Sequence, residues 1–384
     1  MQTPLLDIAI RYAYRYSSRI CILYHVRVFC TSREFSLKQI NTPSTSKDKD
    51  SSTMTPMRRV NNCVAFMFDE IRYELDGVEI DRNRNVGITS TMKNYVSLTD
   101  ERSRILKNAG WDIVMQRTAG EFSYCVPLNV LLGFCEDYKR LIIINARHEL
   151  ILIRARNDAN CIIANISTDE RVLTLLRVQW KMPHVMLNDV NKLALLRTLE
   201  SGQYLSMGFR SWDLYEFPLL QSTTKHLWAV KTATQLKKPR YIIFTLQTGR
   251  QNIFAEDASK FDHCKLTNVK LYLNSEFYPY NDMNLDYDNH KYAILYDMYT
   301  KFRKVYYGCN REPLLSFVEF LHNGPLVVID CSRQNESVKS ATVDVRIEFE
   351  YKENIPENIT AYCLIIHDRV VQYNPLTNVV RKIV

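Results

Sequence analysis

The chain is short of the residues and motifs on which most enzyme classes depend. It has only 10 glycines in 384 residues, and the patterns GxxxxGK[ST], GxGxxG and GxSxG are all absent. Phosphate-binding loops and nucleophile elbows need such glycines, so the common nucleotide-binding and α/β-hydrolase motifs are excluded. We therefore assign no catalytic, cofactor-binding or metal-binding residues, expect no cofactor, and do not expect an enzyme.

Paired cysteines and long apolar segments are also missing. The ten cysteines are scattered without a CxxC pair, and Cys63 and Cys363 each lie beside an apolar, strand-like run. This distribution is typical of small buried thiols in a reducing compartment rather than of a disulfide framework. No window is long and apolar enough for a transmembrane helix, so we expect no membrane contact.

The basic charge is concentrated at the N-terminus. Residues 1–60 carry ten Lys or Arg and four Asp or Glu, which is +6 of the formal net charge of +8. The other 40 basic and 38 acidic residues nearly balance, so the rest of the chain gives no electrostatic case for a specific nucleic-acid site.

Alternation of apolar and polar residues is the strongest structural signal. Apolar and polar residues alternate at every position from Thr342 to Tyr351, which predicts a strand with one buried face and one solvent-exposed face. Asp76-Gly77 separates two shorter alternating runs and favours a tight hairpin between Ile71 and Ile80. We predict a chain built mainly of half-buried antiparallel strands.

The N-terminal segment has two interpretations. Arg11, Arg15 and Arg19 recur every four residues, which is typical of a mitochondrial presequence, whereas a misjoined gene model would supply an unrelated leader. Asn41 to Pro56 is rich in Ser, Thr, Lys and Asp and is predicted to be a disordered linker.

Strands and a few helices are predicted after Val60. The predicted helices are Thr99 to Ala109 (with Gly110 as its stop), Pro127 to Tyr138, Asp189 to Ser201 and Asn289 to Tyr307. The predicted strands include Cys63 to Phe68, Trp111 to Met115, Leu141 to Ile144, Glu149 to Ile153, Cys161 to Ser167, Arg171 to Trp180, Trp212 to Phe217, His226 to Thr232, Tyr241 to Gln247, Leu266 to Leu273, Leu326 to Asp330, Thr360 to His367 and Val370 to Tyr373. Two successive β units with helical excursions indicate a duplicated sandwich.

From about Val60 to Val384 the chain resembles the double jelly-roll major capsid proteins of Polinton (Maverick) elements and adintoviruses, and the double jelly-roll-like proteins of insect genomes. The resemblance rests on Pro127 to Tyr138 with the Leu141 to Ile153 hairpin, and on the order and spacing of further stretches. These are Phe68 to Leu75, Arg82 to Gly87, Phe209 to Trp212, Lys238 to Tyr241 and Val343 to Arg346.

The resemblance implies an all-β fold of two consecutive eight-stranded antiparallel jelly-roll sandwiches with short helical insertions. The expected division is a leader and linker at residues 1–56, a first jelly roll at 57–185, a helical connector at 186–202 and a second jelly roll at 203–384. Because the leader stands where the family has further strands, we expect the first jelly roll to be incomplete at its N-terminal edge.

The resemblance also implies a structural, capsid-type subunit of an integrated viral or Polinton-like element. Such a subunit acts by forming a homotrimer and assembling a virion shell with other capsid proteins, in the nucleus or cytoplasm. The helical insertions would lie at one end and carry apolar and aromatic trimer contacts. Two alternatives stay open: a domesticated host module that binds a protein or a glycan, and an enzyme on a jelly-roll scaffold.

Three patterns suggest a metal site without completing one, and a fourth pattern, the metal-binding histidine pair of cupins, is absent. Asp282 to Asp286 opens like a calcium loop, but Tyr287 and Ala293 stand where Gly and Glu are needed. The pair His263-Cys264 has no further ligands at metal-binding spacing. His148-Glu149 begins like a zinc-protease helix, yet its surroundings predict a strand. The eight histidines contain no His-x-His pair of the cupin type.

One aromatic set suggests a stacking platform for single-stranded nucleic acid, namely Tyr241, Phe244, Tyr272, Phe277 and Tyr278. We favour a buried sandwich core for these residues, since they lie in apolar strands without interleaved basic residues.

Overall fold

The computed structural model describes residues 8–12, 19–21, 25–33, 58–111, 121–136, 143, 146–163, 172–182, 184–230, 239–274, 276–333 and 343–383. Two β-rich units follow one another along the chain, separated by helix α4 (Asp189–Glu200). The first unit has strands β1 (Ile8–Tyr12), β2 (Arg19–Cys21), β3 (His25–Arg33), β4 (Arg58–Arg59), β5 (Phe68–Leu75), β6 (Val78–Arg84), β7 (Glu121–Pro127), β8 (His148–Arg154), β9 (Ile162–Ile163), β10 (Val172–Lys181) and β11 (His184–Met186). Its helices are α1 (Cys63–Phe66), α2 (Val86–Ser97) and α3 (Asp100–Leu106), with 3₁₀ turns at Lys107–Ala109 and Leu128–Val130.

The second unit has the strand order of a jelly roll. Its strands are β12 (Leu205–Phe217), β13 (Lys225–Val230), β14 (Pro239–Thr248), β15 (Leu266–Leu273), β16 (Glu276–Tyr278), β17 (Val327–Asp330), β18 (Val345–Tyr351), β19 (Ile359–Asn374) and β20 (Val379–Ile383), and its helices are α5 (Ala293–Tyr307) and α6 (Phe317–Asn323). The two sheets run β12-β19-β14-β17 and β13-β18-β15-β16, with β20 beside β19. Consecutive strands therefore mostly alternate between the two sheets, which produces a closed antiparallel sandwich.

The first unit is likewise antiparallel, and the N-terminal strands take part in it. Its sheets run β1-β8-β5-β6 and β10-β3-β7, with the short pairs β11-β2 and β4-β9. Strand β1 pairs with β8 over five residues, and β3 lies between β10 and β7. The structure thus differs from the expected leader ahead of an incomplete first jelly roll, because residues 8–33 supply strands to both sheets.

The reason for this difference is visible in the sequence of β3. Val26, Val28 and Cys30 recur at every second residue, which is the period of a strand, whereas the presequence interpretation rests on the four-residue spacing of Arg11, Arg15 and Arg19. The predicted linker Asn41 to Pro56 lies outside the described residues. The predicted division at residues 185 and 202 stays a prediction.

Several local predictions are confirmed. The Asp76-Gly77 hairpin joins β5 to β6, with positive φ angles at both turn residues. In β18 the apolar positions are buried and the charged positions are half-buried, as the alternation predicts. Helix α3 begins after Thr99, whose side chain accepts a hydrogen bond from the Arg102 amide, and its 3₁₀ extension ends at Gly110 in the left-handed region.

The other predicted elements have mixed outcomes. Helix α4 matches its prediction, α5 begins four residues later than predicted, and the predicted strands Thr360 to His367 and Val370 to Tyr373 form the single strand β19. The predicted helix Pro127 to Tyr138 is wrong, since β7 ends at Pro127 and a 3₁₀ turn follows. The predicted strand Cys63 to Phe68 is wrong over α1. Trp111 to Met115 and Leu141 to Ile144 lie largely outside the described residues.

Candidate assembly surfaces and the junction between the two units

A buried carboxylate joins the two units. Asp81 of β6 is fully buried, and its two oxygens accept hydrogen bonds from Ser211 Oγ of β12 at 2.6 Å and from the Phe134 amide at 2.8 Å. Burial raises the pKa of Asp81, and the nearby Arg369 guanidinium and the Ser211 hydroxyl oppose that rise. The Arg82 amide of the first unit also donates to Asp81, so Ser211 is the donor that this buried carboxylate receives from the second unit.

A buried cation lies in a second cluster at the same junction. Lys93 of α2 is 2% exposed and donates to Glu136 Oε1 at 3.1 Å and to Tyr307 Oη at 2.9 Å. Its ammonium also lies 4.5 Å from the centre of the Trp212 ring and 4.9 Å from that of Tyr306. Burial lowers the pKa of Lys93, and the Glu136 carboxylate counteracts this effect. The first unit supplies the ion pair and the second unit supplies the aromatic walls.

Helix α2 is fastened to α5 by two further side chains. Tyr299 Oη donates to the carbonyl oxygen of Tyr95 at 3.1 Å. Arg303, which is 4% exposed, donates from Nε to the Ser97 carbonyl at 3.2 Å and from Nη1 to the Glu312 carbonyl at 2.7 Å. These bonds satisfy polar groups at the end of α2 and in the loop after α5 at once.

Backbone proximity adds a steric requirement to the junction. Gly133, in the turn after Leu128–Val130, packs so closely on β12 that an added Cβ would collide with the carbonyl oxygen of Arg210. The neighbouring Phe134 and Phe209 rings meet edge to face at 5.0 Å. A side chain at position 133 would therefore push the two units apart.

The helical insertions of the two units lie next to one another. Arg311, after α5, forms an ion pair with Glu101 of α3. A cleft of about 680 Å³ opens beside this pair, and its lining includes Ile105, Glu136 and Tyr307. Ile105 of this end is 71% exposed, and the expectation that the insertions carry trimer contacts stays a prediction.

The outer face of the sheet β13-β18-β15-β16 carries exposed aromatic residues, and we call it the aromatic face. Strand register places Ala229, Arg346, Tyr272 and Phe277 side by side in one row across the four strands. The Phe277 ring lies 5.8 Å from that of Tyr280, which is 70% exposed.

The next row of this face mixes apolar and charged side chains. Leu227, Glu348 and Lys270 are aligned there, and Leu227 is 61% exposed. The Lys270 ammonium lies 5.6 Å from the centre of the Phe277 ring. Exposed aromatic and apolar side chains grouped on one face of a sheet are typical of a protein-protein contact.

Comparison with known protein families identifies the family of this chain. The double jelly roll-like domain matches residues 57–371. The chain belongs to this family. The match begins after β3 and ends within β19, and it includes all the junction residues described above, so the double jelly-roll fold predicted from the sequence is confirmed. No curated protein sequence matches this double jelly-roll chain.

Solved structures share the double jelly-roll fold at very low sequence identity. The Faustovirus major capsid protein aligns with a TM-score of 0.59 at 8% identity, over 96% of this chain and 88% of that one. The mavirus major capsid protein aligns with a TM-score of 0.54 at 10% identity, over 99% and 87%. The PBCV-1 VP54 structure fitted into a reconstruction of the virophage Sputnik aligns with a TM-score of 0.54 at 10% identity, over 100% and 97%.

The residues that resembled a calcium loop are engaged with lysines in this double jelly-roll chain. Asp282 pairs with Lys270 at 2.6 Å, and Asp286 pairs with Lys352 at 3.4 Å. A hydrogen bond from Asn289 and the Lys352 ammonium lower the pKa of Asp286. These carboxylates therefore act in surface ion pairs.

The histidines singled out by sequence have structural surroundings. The His263 ring stacks on Tyr287 at 4.1 Å, and burial raises the pKa of the neighbouring Cys264 thiol to about 12. His148 lies in strand β8, as predicted, and its Nδ1 is 2.7 Å from Tyr73 Oη. Among the residues that the structure describes, no group of three His, Cys, Asp or Glu side chains is arranged to hold a metal ion.

The five aromatic residues of the suggested stacking platform are divided between core and surface. Tyr241 and Phe244 are buried, as the core interpretation predicts, but Tyr272 and Tyr278 are only half-buried and Phe277 is exposed. Sequence reasoning missed this division because it did not count Tyr272 and Phe277 on the polar face of their strands. No helix in the described ranges is long and apolar enough to cross a membrane.

Proposed function

We propose that this chain is a capsid-type structural subunit, encoded by an integrated viral or Polinton-like element, that acts by forming homotrimers and assembling a shell. The observation that carries the proposal is the junction, in which the buried Asp81 accepts a hydrogen bond from Ser211 of the second unit and the buried Lys93 donates one to Tyr307 of the second unit. A shell subunit has to present both sandwiches as one rigid block, and a cooperative buried polar network provides that rigidity.

The chemistry of the junction also supports a structural role rather than an enzymatic one. Lys93 and Asp81 are both fully buried, so neither reaches a substrate in solution. Their partners are side chains and amides of the same chain, which is the arrangement of a structural ion pair. We propose no catalytic residue, cofactor, metal or specific nucleic-acid site.

Other capsid proteins are the expected partners, and virion-type assembly in the nucleus or cytoplasm is the expected location. A mitochondrial presequence fits less well, because removal of residues 1–33 would take away β1, β2 and β3 and leave β8 and β10 with unpaired edges. We therefore propose that the N-terminal strands stay with the first unit.

Sedimentation velocity of the full chain tests trimer formation. The chain has a mass of 45.1 kDa, so three copies give a species of about 135 kDa. A stable species of that mass supports the proposal. A monomer at all concentrations would contradict it and favour the alternative, a domesticated module that binds a protein or a glycan.

A further inference from the structure

We propose that the aromatic face of one copy docks on strand β10 of a second copy, as the head-to-tail contact of the oligomer. The inference rests on the proposed function and deepens it by naming the two surfaces and their partner. Among the residues that the structure describes, Leu227, Phe277 and Tyr280 of this face are exposed apolar or aromatic side chains. Large aromatic side chains of this kind are the usual anchors of protein interfaces.

The net charge of the aromatic face indicates what kind of partner it can bind. Three cations lie on it or at its rim, Lys225, Lys270 and Arg346, together with five carboxylates, Glu276, Asp282, Asp344, Glu348 and Glu350. Each cation already has an acidic partner on the same face. The face is therefore acidic overall, which repels the phosphates of a nucleic acid and favours a basic partner.

A second copy of this chain offers such a partner. The whole chain carries a formal charge of +8, so the acidic face is opposite in sign to the molecule as a whole. Strand β10 contains Arg177 and Lys181 and no acidic residue. Arg177 is exposed, and the adjacent Leu176 is 52% exposed.

The position of β10 suits this contact. In the described part of the chain β10 is the outer strand of its sheet, with β3 as its neighbour on the inner side. It presents one apolar and two basic side chains to a face that presents aromatic rings and carboxylates. Because the two surfaces differ, the contact is heterologous, and repetition of a heterologous contact closes a ring when the rotation allows it.

Photo-crosslinking of the full chain tests this pairing directly. A benzophenone amino acid replaces Phe277, and ¹⁵N-labelled and unlabelled copies are mixed before irradiation so that intermolecular products are recognised by mass. The expected product links position 277 of one copy to a peptide that contains residues 172–181 of another. The same photoreactive residue at Ile105, which is exposed on α3, is the matched control and should not give this product.

A pair of substitutions gives a second, independent measurement. The double variant Phe277→Ser/Tyr280→Ser removes two exposed rings, so the fold should be retained while the trimer dissociation constant rises about tenfold or more. Arg177→Glu should weaken the trimer in the same direction, and added salt should weaken the wild-type trimer.

The outcomes separate the two proposals. A wild-type trimer whose crosslinks map away from β10, or whose stability is unchanged in both variants, would overturn this inference and leave the capsid-type function standing. A wild-type chain that remains monomeric would overturn both.

Discussion

Ser211 of the second unit donates a hydrogen bond of 2.6 Å to the buried carboxylate of Asp81 in the first. The two residues are 130 positions apart in the chain, and both are fully buried. A polar contact of this kind ties the correct packing of one sandwich to that of the other. The stability of the junction can therefore be measured through single side chains.

Removal of the Ser211 hydroxyl should destabilise the chain. Ser211→Ala removes the hydroxyl donor to the buried Asp81 carboxylate. Loss of such a donor typically lowers the free energy of unfolding by about 1–3 kcal/mol. Urea unfolding of the full chain measures this loss. Ser206→Ala in the same strand is the control, because Ser206 is exposed and accepts only a 3.3 Å bond from Gln372. Equal stability of the two variants would contradict the role assigned to Ser211.

The pH dependence of stability should carry the signature of Asp81. Burial raises its pKa above the ordinary value of 3.8, so protonation favours the folded state. The contribution of this group is most favourable below pH 3.8 and is lost as the pH rises through the folded-state pKa. Asp81→Asn has no such titration, so its stability relative to wild type should increase with pH above 3.8. A constant difference across that range would contradict the assignment.

Removal of either partner of the buried Lys93–Glu136 ion pair should lower the free energy of unfolding. Removal of both partners should lower it by less than the sum of the two single losses. Lys93→Met leaves the Glu136 carboxylate without its cation, for an expected loss of about 3–5 kcal/mol. In Lys93→Met/Glu136→Gln no unpaired charge remains, so a double-mutant cycle should give a coupling energy of about 0.5–3 kcal/mol. Additive losses would show that the two residues do not act as a pair.

A methyl group at position 133 should separate the units. Gly133→Ala forces its Cβ against the carbonyl oxygen of Arg210, and backbone cannot move aside as a flexible side chain can. The variant should unfold at a markedly lower temperature, with the loss exceeding the usual 1–3 kcal/mol of overpacking. Gly208→Ala is the control, since nothing lies within 4 Å of its added Cβ. Similar melting temperatures for the two variants would contradict the close approach.

The parts of the fold that the sequence predicted are those with strong local signals. The alternation in β18, the Asp76-Gly77 turn and the Thr99 cap depend only on residues a few positions apart in the chain. They can therefore be predicted without knowing the tertiary structure. The resemblance to the capsid family then supplied the sandwich arrangement.

The parts of the fold that could not be predicted from the sequence depend on contacts between segments that are distant in the chain. Helix α2 is buried on nearly every side and packs mainly on α1, α5 and β5, so its polar residues Thr89, Ser90 and Asn94 do not form the solvent-facing stripe of an amphipathic helix. Asp81 occupies a position of β6 that looks like any charged strand residue. Only the approach of Ser211 and the Phe134 amide reveals its role.

Cryo-electron microscopy of the purified full chain tests the central claim most directly. Three copies with two upright sandwiches each should give particles with threefold symmetry and a six-cornered outline. Class averages of that shape are the predicted result. Particles that contain only a single copy, with two sandwiches each, at every protein concentration examined would contradict the account.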